Sequence, residues 1–271
     1  MAHNNPEQDL NSTGPMDVTR LAPPAGSCIA VLGGCGGIGM ALVAACLENG
    51  LEVAVMDLPQ SLAERSFPDG VRQIPLDARN ADQVEAAYRQ LAQAWPHLDG
   101  LVNLAGYTGE FLPMDELPLE DIDDVWSGNL RATAMSCRCA LPLLRAAPRG
   151  GAIVNTSSGL ARAARPGYGP YSAAKAGIEA LTRTLANENG PAVRVNAVSP
   201  GGIDTAFMRG GFGRGGREEG PPLRLKLDQY IPLVPLGRVG VPEDVAGPIL
   251  FLLSDAARYI SGAVLEITGG A

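Results

Sequence analysis

Short apolar runs alternate with longer amphipathic stretches along this chain. CIAVL (28–32), LEVAVMD, VRQIPLD, LDGLVNLAG, GAIVNTSS, VRVNAVSPG and AVLEITGG each carry several Val, Ile, Leu or Ala residues. Such runs suit strands buried on both faces. Between them lie MALVAACLENG, NADQVEAAYRQLAQAW, LEDIDDVWSGNLRATAMSCRCALPLLRAA, YSAAKAGIEALTRTLANE and VPEDVAGPILFLLS, which have helical spacing. Gly50 predicts a helix end, Asn80 an N-cap and Pro170 a first helical turn. Pro75 weakens the third strand. Gly128 and Pro142 predict two interruptions of the long central helical stretch. Strands alternating with helices define βαβ units, hence an α/β fold with a doubly wound parallel sheet in a single domain.

Two segments break the rhythm. YTGEFLPMDELP is irregular, and Gly201–Lys226 is a long loop holding eight glycines and Arg209, Arg214, Arg217 and Arg224. Its position after the sixth strand suggests a substrate lid, with Phe207 and Met208 closing over the pocket. Residues 1–25 are polar and rich in Pro, Gly and Asn, and are expected to form a flexible extension before a domain at 26–271.

Composition narrows the classes. The chain of 271 residues is 46% hydrophobic and 18% charged with a net charge of −8. An acidic surface argues against nucleic acid as a partner. No apolar run reaches the length of a membrane span, and no basic n-region precedes an apolar one. Five cysteines without a C-x-x-C pair suggest free thiols in a reducing, cytoplasmic setting. Only His3 and His97 are present, which disfavours a zinc site or a histidine triad; no metal is expected.

The chemistry begins at GGCGGIG. Gly33, Gly37 and Gly39 lie between the first strand and first helix, where backbone N–H groups can approach a pyrophosphate. Asp57 follows twenty residues after Gly37, at the end of the second strand. A carboxylate there can accept both hydroxyls of an adenosine ribose. It would also repel the extra phosphate of NADP: two like charges ~4 Å apart at an effective dielectric of ~20 repel by roughly 4 kcal/mol. No Arg or Lys stands in the turn to offset this, so NAD is the expected cofactor. In YSAAK, Tyr171 and Lys175 are four residues apart and share a helix face. An ammonium beside a phenol lowers its pKa from ~10 and suits it to proton transfer.

GGCGGIG, NLAG, SS and YSAAK, in this order, resemble the classical short-chain dehydrogenase/reductase family across residues 27–271. The family's T-G-x-x-x-G-x-G stands here as Leu32 to Gly39, with Leu for Thr. Its N-N-A-G stands as Asn103-Leu104-Ala105-Gly106, with Leu for the second Asn. The resemblance implies a Rossmann-type oxidoreductase exchanging a hydride between a nicotinamide and a secondary alcohol or ketone. Tyr171 would be the acid/base, Lys175 would also hold the nicotinamide ribose, and Ser158, thirteen residues before Tyr171, would orient the substrate oxygen. Asn129 would hold a relay water, with the helix bent at SGN. Cofactor contacts are implied for Gly33, Cys35, Gly36, Ile38, Gly39, Asp57, Asp77, Ala78, Leu104, Ala105, Gly106, Tyr171, Lys175, Pro200, Gly201, Ile203 and Thr205. A homotetramer is implied, paired through 121–147 and 170–187 and through the last strand. Tyr168 and Ser157 are the rivals of Tyr171 and Ser158. Two other functions compete: an NADPH-dependent 3-oxoacyl reductase, against which Asp57 speaks, and a non-catalytic dinucleotide sensor, which would not need Ser158, Tyr171 and Lys175.

Overall fold

The computed structural model describes residues 20–163, 165–209 and 227–271. Seven strands form one parallel sheet: β1 (Cys28–Leu32), β2 (Glu52–Asp57), β3 (Arg72–Pro75), β4 (Gly100–Asn103), β5 (Gly151–Thr156), β6 (Val193–Pro200) and β7 (Val264–Ile267). Their order is β3-β2-β1-β4-β5-β6-β7. The chain winds outward from β1 in one direction, then returns to β4 and winds in the other, which makes the β1/β4 boundary the topological switch point. Pro75 ends β3 at the sheet edge, where a missing N–H costs no ladder bond.

Both faces of the sheet are covered. Cys28, Ala30 and Leu32 of β1 enter one apolar cluster, with Leu91 and Leu144 from the helices. Ile29 and Val31 enter the other, with Leu42 and Ile249. This alternation follows from the period of two along a strand. The helices are α1 (Gly37–Glu48), α2 (Pro59–Ala63), α3 (Ala81–Ala94), α4 (Leu119–Trp126), α5 (Ala132–Arg145), α6 (Gly169–Asn189), α7 (Leu227–Tyr230) and α8 (Pro242–Leu253). Asn80 caps α3, its side chain accepting from the Asp82 and Gln83 N–H groups. Gly50 follows the end of α1 with φ +71°.

Of the two expected helix interruptions one is present and one is not. The interruption at Gly128 is a π turn, Ser127–Arg131, joining α4 to α5. At Pro142 the helix continues to Arg145; Pro142 lies on the exposed side, where a lost backbone bond is tolerated. Within the expected extension Ala22 and Pro23 are buried, and Gly26 N–H donates to Gly50 O at 2.7 Å. The rest of the expected extension, 1–19, lies outside the described residues, as do positions 210–226 of the expected lid. The α2 and α7 helices are too short for a periodic signal.

Candidate active site

The carboxyl ends of β1, β2, β4, β5 and β6 open onto one cleft of about 480 Å³. Gly33, Cys35, Gly36, Ile38, Gly39, Asp57, Asp77, Ala78, Leu104, Ala105, Gly106, Ser158, Tyr171, Lys175, Pro200, Gly201, Ile203 and Thr205 all line it. The fold therefore brings together residues spread over 173 positions of sequence, Gly33 to Thr205, as counted inclusively.

The β1–β3 side holds the glycine turn. Gly33 has φ +83°, and a Cβ there would come 2.5 Å from Ala105 N. At Gly36 the nearest atom to an added Cβ is 3.6 Å away, so the turn presents bare backbone to the cleft. Asp57 ends β2, its carboxylate accepting from Cys35 N–H at 2.9 Å and Leu58 N–H at 2.8 Å. These bonds fix the acid at the mouth of the turn. Burial, with the adjacent Asp57 charge second, pushes the Cys35 thiol up to about 12, so it stays protonated. The turn holds no basic residue, as its sequence shows, but the fold supplies one: Arg65, just beyond α2, donates from Nε to Cys35 O at 3.2 Å. Asp77 is held by Arg79, which also bridges to Asp124 at 2.9 Å. Arg65 and Arg79 were not apparent as site residues, because nothing local marks a side chain that reaches the turn through tertiary packing.

The β5–β6 side holds the polar cluster. Pro170 and Gly169 start α6, which carries Tyr171 and Lys175 on its buried face. Ser158 follows β5, and its hydroxyl hydrogen-bonds the Tyr171 phenol. Ser157 points elsewhere, donating to Glu179 Oε1 at 2.9 Å. Tyr168 precedes the buried turn of α6 and packs edge-on against Phe111 with centroids 4.6 Å apart. Phe207 lies over Tyr171 at 6.1 Å between centroids.

Titration departs from the expectation. Lys175 Nζ is 5.5 Å from the Tyr171 ring centroid and donates to Thr156 O at 2.9 Å. Burial pushes the Tyr171 phenol up to about 12, against the lowering effect of the Ser158 hydrogen bond. Burial also pushes the Lys175 ammonium down to about 8. Desolvation, not the shared helix face, dominates both.

Asn129 does not line the cleft. It is fully buried in the π turn, its amide donating to Tyr107 O at 2.8 Å and Val125 O at 2.9 Å. Its Oδ1 has no partner among the described residues. A Cβ placed on Gly106 would meet Asn129 Oδ1 at 2.4 Å and Lys175 Nζ at 3.3 Å, so both atoms converge on bare glycine backbone at the cleft floor. Gly128 makes room for the Tyr107 ring, 2.3 Å from where its own Cβ would be. No group of three His, Cys, Asp or Glu side chains among the described residues could hold a metal ion, and no described helix is long and apolar enough to cross a membrane.

A glycine turn at the switch point of a doubly wound sheet, with a serine, tyrosine and lysine across the cleft, is the architecture of a dinucleotide-dependent oxidoreductase. Residues 33–271 match the family described as Enoyl-(Acyl carrier protein) reductase. The chain is 36% identical over 250 residues to 2-(S)-hydroxypropyl-CoM dehydrogenase 3 of Xanthobacter autotrophicus, covering 89% of this chain and 95% of that one. It is 33% identical over 247 residues to 3-oxoacyl-[acyl-carrier-protein] reductase FabG of Thermotoga maritima, with coverage of 89% and 95%. The crystal structure of levodione reductase superposes with a TM-score of 0.81 at 28% identity, covering 91% of this chain and 98% of that one. The chain belongs to the short-chain dehydrogenase/reductase family of oxidoreductases.

Proposed function

We propose that this protein interconverts a secondary alcohol and a ketone with NAD as the redox partner. The observation that carries the reading is the Ser158–Tyr171–Lys175 cluster in the same cleft as the glycine turn and Asp57. The hydride chemistry is supplied by the nicotinamide when bound. Tyr171 Oη donates a proton to the ketone oxygen in reduction and takes it from the alcohol in oxidation. Ser158 Oγ holds that oxygen in place and stabilises its developing charge. Lys175 contributes its ammonium beside the ribose, and the free Oδ1 of Asn129 offers a buried acceptor for a relay water near Lys175.

The bare turn around Gly33 and Gly36, with Cys35, Ile38 and Gly39, suits a pyrophosphate. Asp57 suits the adenosine ribose, and Asp77 with Ala78 the adenine. Leu104, Ala105 and Gly106 line the middle of the cleft, and Pro200, Gly201, Ile203 and Thr205 the nicotinamide end. Asp57 supports NAD over NADP by charge repulsion. Arg65 beside the turn supports the second reading, an NADPH-dependent 3-oxoacyl reductase, as does the FabG relative. Both residues bond the turn directly; Asp57 does so through two short backbone hydrogen bonds, 2.9 and 2.8 Å, against the single 3.2 Å bond of Arg65, and this favours the NAD reading.

The test is turnover of a panel of secondary alcohols with each nucleotide. We expect higher kcat/KM with NAD. Tyr171→Phe should lower kcat by at least about 100-fold while the protein still binds NAD. Better use of NADP would overturn the cofactor assignment. Activity of Tyr171→Phe within about tenfold of the parent would overturn the role of the phenol.

A further inference from the structure

Among the described residues, six charged side chains besides Lys175 line the cleft: Asp57, Glu64, Arg65, Asp77, Arg79 and Arg165. The first five belong to the β1–β3 side, where each is engaged. Glu64 accepts from Gln60 at 3.1 Å, Asp57 and Asp77 are held as described, and Arg65 and Arg79 bond to Cys35 O and to carboxylates. Lys175 is engaged with Thr156 O. Arg165 differs. It lies on the substrate side, and its guanidinium has no hydrogen bond or ion pair with any described residue. Among the described residues no acidic side chain lines that half of the cleft.

The backbone fixes where this arginine stands. Arg165-Pro166-Gly167-Tyr168 closes with Tyr168 N–H donating to Arg165 O at 3.3 Å. Gly167 has φ +82°, as a type II turn requires at its third position, and Pro166 presets the second. Phe111 packs on this turn, 3.4 Å from where a Gly167 Cβ would be, and also on the Tyr168 ring. Arg165 is thus anchored at the exposed rim, while the Tyr171 phenol is 5% exposed at the floor. The wall between is aromatic.

We propose that Arg165 is an anion subsite, and that the substrate is a ketone or alcohol carrying a carboxylate, sulfonate or phosphate several bonds from the reacting carbon. This rests on the alcohol/ketone reading above. An arginine fork suits all three oxyanions. The apolar wall of Phe111 and Tyr168 suits a short aliphatic spacer.

The test uses methyl ketones with a terminal carboxylate, each paired with the neutral methyl ketone of equal length. Binding to the nucleotide-loaded protein is followed by calorimetry and reduction by turnover. The carboxylated member should bind about tenfold tighter, with KM lower by the same factor, as for a hydrogen bond to a charged group at a partly exposed site. The advantage should shrink as ionic strength rises. Arg165→Gln should erase it without changing kcat or the neutral ketones, and Arg165→Lys should keep part of it. Terminal sulfonates and phosphates then rank the oxyanion. Equal affinity for both members of each pair, or an advantage that survives Arg165→Gln, overturns the subsite. Arg165-dependent binding of the anions without reduction of any ketone would support the subsite and count against the redox reading alone.

Discussion

Lys175 is 3% exposed and has no carboxylate partner among the described residues, so its charge is a liability to the folded state. In the unfolded chain it holds its proton to about 10.5, and in the fold only to about 8. Below about 8 the folded protein bears the whole cost of burying the ammonium, about 3 kcal/mol from the shift. Between about 8 and 10.5 the unfolded chain binds more protons, so this contribution makes stability rise with pH. Tyr171 acts the other way. Its phenol is pushed up to about 12, so stability falls once the unfolded tyrosine ionises above ~10. Denaturant unfolding from pH 7 to 10 should therefore show the parent gaining about 2 kcal/mol on Lys175→Met. A pH-independent difference between the two proteins would mean that Lys175 is not depressed. The YSAAK spacing made the shared face legible, but four residues of sequence do not say where an ammonium points. The fold turns it toward Thr156 O, and burial then outweighs the neighbour. Arg65 and Arg165 were illegible for a related reason: each gains its meaning from a cleft wall that is distant in sequence.

At the scale of elements, the strands and long helices were legible because periodicity and caps agree along them. The π turn at Ser127–Arg131 was legible only as a disturbance at SGN; the Tyr107 ring is seated on its Gly128, a contact made by a segment with no periodic pattern. Another tertiary device is wholly hidden in the sequence. Arg194 of β6 reaches the end of α8, where its guanidinium donates to Leu252 O at 2.8 Å, Leu253 O at 3.2 Å and Ser254 O at 3.1 Å. These include carbonyls that a helix end leaves unpaired. No carboxylate shares the site in these bonds, and burial lowers the arginine to about 10. The cation is held by carbonyl dipoles at the negative end of the helix. Arg194→Met keeps the apolar stem and leaves those carbonyls unsatisfied. It should lower the unfolding free energy by about 3 kcal/mol while leaving nucleotide affinity unchanged. A loss below about 0.5 kcal/mol would mean that water replaces the guanidinium without cost.

For the whole molecule, the seven-stranded sheet ends at β7, which pairs only with β6 among the described strands. An open sheet edge is a template for another chain. Leu265 of this strand is 37% exposed, and Trp126 at the end of α4 is 44% exposed. These two places lie on the two surfaces expected to pair copies, the last strand and the central helices. The sheet edge is guarded only in part, by the Arg162–Glu266 ion pair. We therefore propose a homotetramer built on two distinct contacts, each with its own two-fold axis. The contacts should separate by mutation, since they share no residues. Leu265→Arg at the strand should give dimers held by the helices, and Trp126→Arg should give dimers held by the strand; the double variant should be a monomer. Both side chains are partly exposed; Trp126→Arg also removes the Trp126 Nε1 hydrogen bond to Pro170 O at 3.1 Å, so the fold of that variant is checked by circular dichroism alongside its mass. Sedimentation equilibrium at micromolar concentration distinguishes the three states by mass. A parent that sediments as a monomer would overturn the assembly. A tetramer unaffected by either arginine would place its contacts elsewhere on the surface.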